Sequence, residues 1–175
     1  PRPAVTIVEG LLPIAGLSVG IDAIASKNTP RTTVGPQGDR WAETLSPPTG
    51  PYSQAIRAGD LAYVSGLSGL SPNGRLIGAG DIKAQTARAL EQLSTNLDLL
   101  GLTVEDVVKT TVYITDWREY VAYNEVYGDF FRSPYPARST VQMGSSIPGA
   151  LIQLDAIAVA GASESAIVVD LLYAK

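Results

Sequence analysis

The run Pro136-Ala137-Arg138-Ser139-Thr140-Val141 holds the residues best placed to do chemistry. Pro136 fixes its own φ and has no N–H to give, which suits a strand entrance. Val141 is β-branched, and Ser139 and Thr140 tolerate strand geometry. Side chains alternate along an extended run, so Arg138, Thr140 and Gln142 share one face, and Ala137, Ser139 and Val141 share the other. A guanidinium beside a hydroxyl on a strand can receive a planar carboxylate, because arginine presents a fixed fork of donors. On spacing alone, a surface arginine at a strand edge is the commoner outcome.

Composition narrows the chemistry further. Histidine and cysteine are both absent. That removes the Ser-His-Asp arrangement, a thiolate nucleophile, a disulfide framework and Cys- or His-based metal sites. Catalysis must then rest on Arg, Lys, Tyr, Asp, Glu, hydroxyls, backbone groups or bound water, with no metal and no cofactor expected. Lys and Arg number 13 against 17 Asp and Glu, a net charge of −4 with no basic run. Nucleic acid is not the expected partner, since phosphate binding needs clustered cations. At 175 residues, 45% apolar and 17% charged, the chain reads as one domain, or one domain with an extension. The apolar run 11–25 follows Glu9, contains Asp22 and has no basic residues leading it. It reads as neither a signal peptide nor a membrane span.

The elements that must position Arg138 are legible from periodicity. Ile56-Arg57-Ala58, a Gly59-Asp60 turn and Leu61–Ser65 suggest a hairpin, followed by a loop over 66–80. Ile82, Thr86, Leu90, Leu93, Leu97 and Leu100 recur at three- and four-residue steps and predict a helix over 82–100. Asp81 can cap its start and Gly101 its end. The β-branched run 107–115 predicts a strand. Asp116 and Glu119 resemble a capping box that opens a helix to about Phe131. Tyr120, Asn124, Tyr127 and Phe131 fall on one stripe of that helix. The aromatics read as core, whereas a buried Asn124 needs partners. Strands are expected over 138–144 and 150–160. In the second, Leu151, Gln153, Asp155 and Ile157 share one face, and Ile152, Leu154, Ala156 and Ala158 share the packed one.

The flanks are organised differently. Residues 27–49, rich in Pro, Gly, Ser and Thr, read as a linker. Residues 161–175 read as a C-terminal extension in which 166–172 could add an edge strand. Residues 3–25 repeat residues 136–158 at a constant offset of 133. Pro3-Ala4 falls on Pro136-Ala137, Val8 on Val141, Gly16 on Gly149, and Asp22-Ala23-Ile24-Ala25 on Asp155-Ala156-Ile157-Ala158. Residues 1–26 are thus expected to be the C-terminal strand pair of an upstream, degenerate repeat, with Val5 where Arg138 stands.

The order hairpin, helix, strand, helix, two strands resembles the Rid family (YjgF/YER057c/UK114). The matching stretches are GPYSQAIRAGDLAYVSG (50–66), DIKAQTARALEQL (81–93), VEDVVKTTVYITD (104–116), YNEVYGDFF (123–131), PARSTVQM (136–143) and LDAIAVA (154–160). The resemblance implies a chorismate-mutase-like α+β fold for 50–160. A mixed sheet would carry two helices on one face, and three subunits would close their sheets into a barrel with ligand sites between them. It places the carboxylate-binding arginine at Arg138, the pocket tyrosine at Tyr52, the Ser-Gly pair at Ser65-Gly66, the helix asparagine at Asn124, and a further polar position at Thr140.

One position departs from the family pattern. Active deaminases of the family carry a water-positioning glutamate where this chain has Gln153. An amide accepts a hydrogen bond from water but cannot take its proton. Asp155, two residues on and facing the same way, is an alternative acid only if the water moves; otherwise it is structural. The resemblance implies hydrolytic deamination of small 2-imino acids in the cytoplasm, with Arg138, Gln153 and Thr140 at the reacting centre. A small 2-imino or 2-keto acid and further copies of the chain would be the partners, together with any upstream fragment of the same gene. A metabolite-binding protein that has lost the chemistry is the alternative that Gln153 and Val5 favour. An RNA-cleaving role, attributed to some relatives, is disfavoured by the acidic balance and missing histidine.

Overall fold

The computed structural model describes residues 2–10, 19–27 and 29–165. It is an α+β fold built on one mixed six-stranded sheet in the order β1-β2-β3-β6-β4-β5. The strands are β1 Arg31–Val34, β2 Ala55–Ala58, β3 Leu61–Ser68, β4 Val107–Ile114, β5 Ala137–Gln142 and β6 Ile152–Val159. The helices are α1 Ile82–Leu99 and α2 Tyr120–Phe130. β2 and β3 form the antiparallel hairpin, turning at Gly59, whose φ of +65° suits a residue without a side chain. β4 and β5 are parallel, so the chain needs a crossover between them, and α2 supplies it.

Each element follows from its residues. Asp81 accepts a hydrogen bond from the Ala84 amide at 3.1 Å and caps α1 as expected. The apolar stripe of α1 is fully buried: Leu90, Leu93 and Leu97 are 0–1% exposed. Truncating Leu93 to alanine in such packing costs about 2–5 kcal/mol. β6 alternates as predicted, with Leu154, Ala156 and Ala158 buried beneath the helices. Asp116 does not form the expected reciprocal box. Its carboxylate accepts from the amide and guanidinium of Arg118 and starts a 3-10 turn, Trp117–Glu119, ahead of α2.

Two expectations change, one at the N-terminal flank and one after β3. Residues 27–49 are not a linker throughout: Arg31–Val34 pairs with β2, Val34 and Leu45 are buried in the core, and Ser46 is buried beside Gln92. The loop expected over 66–80 begins later, because β3 runs to Ser68, and Leu70 bridges Leu76. The edge strand expected at 166–172 lies outside the described residues. Among the described N-terminal residues, 3–9 cross the sheet through two isolated bridges, Ala4 with Ser53 and Glu9 with Gly144. Residues 19–27 make no ladder, and Val19, Ile21 and Ile24 are exposed.

Candidate functional site

The sheet register sorts the predicted site residues into two groups. Thr110 of β4 lies opposite both Arg138 of β5 and Ala156 of β6; Val112 lies opposite both Thr140 and Leu154. Residues directly opposite share a face. Arg138 and Thr140 therefore project to the side that carries the helices, with the buried Leu154 and Ala156. Gln153 and Asp155 project to the other side. Ser65 on β3 is three strand spacings from β5, about 14 Å. One chain does not bring Arg138 to Ser65, Gly66 or Gln153.

The first group is a cage around Arg138. Nη1 donates to Asn124 Oδ1 at 2.8 Å, and Nη2 donates to Tyr120 Oη at 3.3 Å. The guanidinium carbon lies 4.6 Å from the Tyr127 ring centre and 5.7 Å from that of Tyr123. Such cation–π contacts hold the plane of the guanidinium as well as its charge. The tyrosines are themselves fixed: Tyr127 shares a hydrogen bond with Thr110 at 2.8 Å, and Tyr123 shares one with Thr140 at 2.7 Å. Burial pushes both phenols up from the usual tyrosine range, so they stay neutral. Thr140 thus steadies a wall of the cage through Tyr123. Asn124 has the partner that its place on the helix stripe demanded. The two bonds use only part of the guanidinium's five N–H donors, leaving a fork for an anion.

The second group surrounds Gly66. Between Val64 and Leu67 the register with β6 slips: Val64 faces Ala156, and Leu67 faces Leu154. β3 thus carries one extra residue, a bulge at Ser65-Gly66, which re-aims both. Ser65 Oγ donates to the Ser53 carbonyl at 2.6 Å. A Cβ on Gly66 would stand 2.4 Å from Gln153 Nε2, so any side chain at 66 would displace the Gln153 amide. Tyr52, Ser65, Gly66 and Gln153 all line one small cavity with about 20 Å³ of free volume, room for about one water. Ser68 Oγ, in the same lining, is buried with no hydrogen-bond partner among the described residues. Asp155 is engaged elsewhere: Tyr113 Oη donates to it at 3.2 Å, and burial with that nearby carboxylate pushes Tyr113 up to about 12.

A set of residues that sequence reasoning passed over holds the cavity in shape. On α1, the buried Gln85, Arg88 and Gln92 reach out to the loops. Gln92 Nε2 donates to the Ser68 carbonyl at 2.8 Å, and its Oε1 accepts from Ser46 Oγ. Arg88 Nε donates to the Leu70 carbonyl at 2.9 Å, and Gln85 Oε1 accepts from the Leu151 amide at 2.7 Å. The signal was present: residues 85, 88 and 92 recur at helical spacing on one face, polar where the pattern alone reads as core flank. Among the described residues, no group of three metal-ligating side chains occurs, and no helix is long and apolar enough to cross a membrane.

Comparison with known proteins matches this architecture. The family model for endoribonuclease L-PSP matches residues 43–160. A RutC family protein of Pyrococcus horikoshii is 38% identical over 118 residues, 67% of this chain and 94% of the relative. The 3-aminoacrylate deaminase RutC of Acinetobacter baylyi is 37% identical over 116 residues, 66% of this chain and 92% of the relative. The crystal structure of E. coli TdcF with bound serine superposes with a TM-score of 0.63 at 32% identity, covering 67% of this chain and 94% of TdcF. The chain belongs to the endoribonuclease L-PSP family, the Rid/YjgF proteins.

Proposed function

We propose that the protein hydrolyses small 2-imino acids to 2-keto acids and ammonia, with the substrate carboxylate on Arg138. The observation that carries this reading is the caged guanidinium. Arg138 is oriented by Asn124 and Tyr120 and stacked on Tyr127, yet retains donors for a planar anion. The relatives point to the same ligand class. One is named for deaminating 3-aminoacrylate and another holds serine, both small carboxylates bearing nitrogen.

The cavity group of one copy supplies the other half of the site to the Arg138 of a second copy, in a homotrimer with its sites between subunits. Ser65, Gly66 and Tyr52 shape the pocket around the imine carbon. A water held by backbone groups, Thr140 and Gln153 adds its oxygen to C2, and the C=N bond becomes a single bond as nitrogen takes a proton. The C–N bond then breaks, ammonia leaves with the hydroxyl proton, and a C=O remains. The imine is already electrophilic, so orientation and charge complementarity carry the step without histidine. Imine generated in place by an amino-acid oxidase should disappear faster in the presence of the protein. Arg138→Ala should slow that by about 10²-fold or more. An unchanged rate in that variant overturns the mechanism.

Gln153 favours a second reading, a binder that keeps the carboxylate grip without chemistry. Pyruvate binding by calorimetry, with no acceleration of imine loss by the same preparation, selects it.

A further inference from the structure

We infer that residues 3–9 are a built-in stand-in for β5 of a second copy, seated over the Ser65-Gly66 half-site with valine in the arginine's place. The sequence supplies the first line of support: Pro3, Ala4 and Val8 coincide with Pro136, Ala137 and Val141, and Val5 coincides with Arg138. The structure supplies the second. The Val5 amide donates to Ser65 Oγ at 2.9 Å, and the Gly66 amide donates to the Val5 carbonyl at 3.2 Å. The Ser53 amide donates to the Pro3 carbonyl at 2.8 Å. Val5 is therefore hydrogen-bonded through its backbone to both residues of the bulge.

The segment also fills space. Ile7 lines the 20 Å³ cavity with Tyr52, Ser65, Gly66 and Gln153, and it lines a wider outer depression of about 370 Å³ as well. It shares that double position with Thr49, Leu70, Ser146 and Ile147, so the N-terminal segment forms part of the rim between the two. Thr6 completes the closure: its Cγ2 would lie 3.0 Å from a Cβ on Gly66. With room for about one water, the cavity with this segment in place is too small for a keto acid.

β5 is the free edge of the sheet, its outer side unpaired among the described residues. Ala137, Ser139, Val141 and Gln142 are exposed. An exposed edge strand is a template for pairing with another chain. A surface that binds the sequence pattern of 3–8 within the chain fits the same pattern at 136–141 when a second copy presents it. The two occupants exclude each other. With residues 3–9 docked, the half-site is closed and holds no cation; with β5 of a second copy docked, Arg138 enters.

This inference rests on the reading that the Ser65-Gly66 cavity receives the ligand, and an undocking experiment separates the two. Pyruvate affinity is measured by calorimetry on the full chain, on Arg138→Ala and on Val5→Pro. Arg138→Ala should weaken binding at least about tenfold, the worth of a charge-assisted bond pair. Val5→Pro removes the amide that bonds Ser65 while suiting extended backbone, so it should release the segment and strengthen binding. If Arg138→Ala binds pyruvate normally, the functional reading fails. If Arg138→Ala loses binding and Val5→Pro, with an unchanged melting temperature, binds no better than the full chain, the stand-in fails. The same Val5→Pro variant provides an independent measurement. Sedimentation velocity should then show a larger share of higher oligomers at the same concentration. An unchanged distribution overturns the competition.

Discussion

Residues 3–8 and 136–141 share the opening Pro-Ala and the closing valine, yet the molecule treats them differently. The second copy is a ladder strand: β5 pairs residue by residue with β4, and α2 lies against it. The first makes two isolated bridges, and Val5 bonds through its backbone to the Ser65 hydroxyl and the Gly66 amide. A cation at position 5 would find no asparagine or tyrosine cage. At position 138 it finds Asn124, Tyr120, Tyr123 and Tyr127, all from one helix. The caged guanidinium on which the proposed carboxylate grip rests is therefore a product of the strand together with α2. The Pro-Ala-x-x-x-Val backbone alone supplies only a docking edge.

The strongest way to break this comparison is to truncate both positions. Arg138→Ala should cost about 10²-fold or more in imine hydrolysis. Val5→Ala should leave the rate within about threefold, since backbone groups make its bonds. Equal losses, measured in the same coupled assay, would erase the distinction. Next in size is Gln153→Glu, which restores a group able to take a proton; the expected gain is about tenfold or more. No gain in kcat would identify Gln153 as suited to its own substrate or to binding alone.

The cage itself is tested by Asn124→Ala. It removes the 2.8 Å partner of Nη1 and frees the guanidinium to swing. Pyruvate affinity should fall about three- to tenfold while the melting temperature changes little. A drop in melting temperature without a drop in affinity would make Asn124 structural. The smallest effect belongs to the opposite face of the sheet. Tyr113 is raised to about 12 in the folded chain from an ordinary 10, so its neutral form is the one that folding favours. Its contribution to stability is fully present below pH 10 and is lost between pH 10 and 12. Tyr113→Phe should flatten that part of the stability-against-pH curve, recorded by urea unfolding.

Local pattern made much of this legible. Helical periodicity located α1 and the end of α2 to within a residue, Asp81 capped as its chemistry required, and the start of α2 fell later than Asp116 suggested because a 3-10 turn precedes it. Alternation correctly placed Arg138 with Thr140, and both contact α2. β1 was missed because Arg31-Thr32-Thr33-Val34 is four residues long between Pro30 and Gly35. Its strand identity comes from pairing with β2, a tertiary fact. The two-sided division of the site was also hidden. Alternation gives the faces of one strand, but relating Arg138 to Gln153 needs the registers of β5 on β4 and of β4 on β6. The contrast between docked and laddered copies was out of reach for the same reason, since sequence identity does not say what lies behind a strand.

The central claim is that Arg138 grips a carboxylate, and the most direct measurement compares a carboxylate with its neutral isostere. Calorimetric titration of pyruvate and of pyruvamide into the full chain should show at least about a tenfold preference for pyruvate. In Arg138→Ala that preference should vanish, because the neutral amide never used the guanidinium's charge. A preference for pyruvate that persists undiminished in Arg138→Ala would contradict the account.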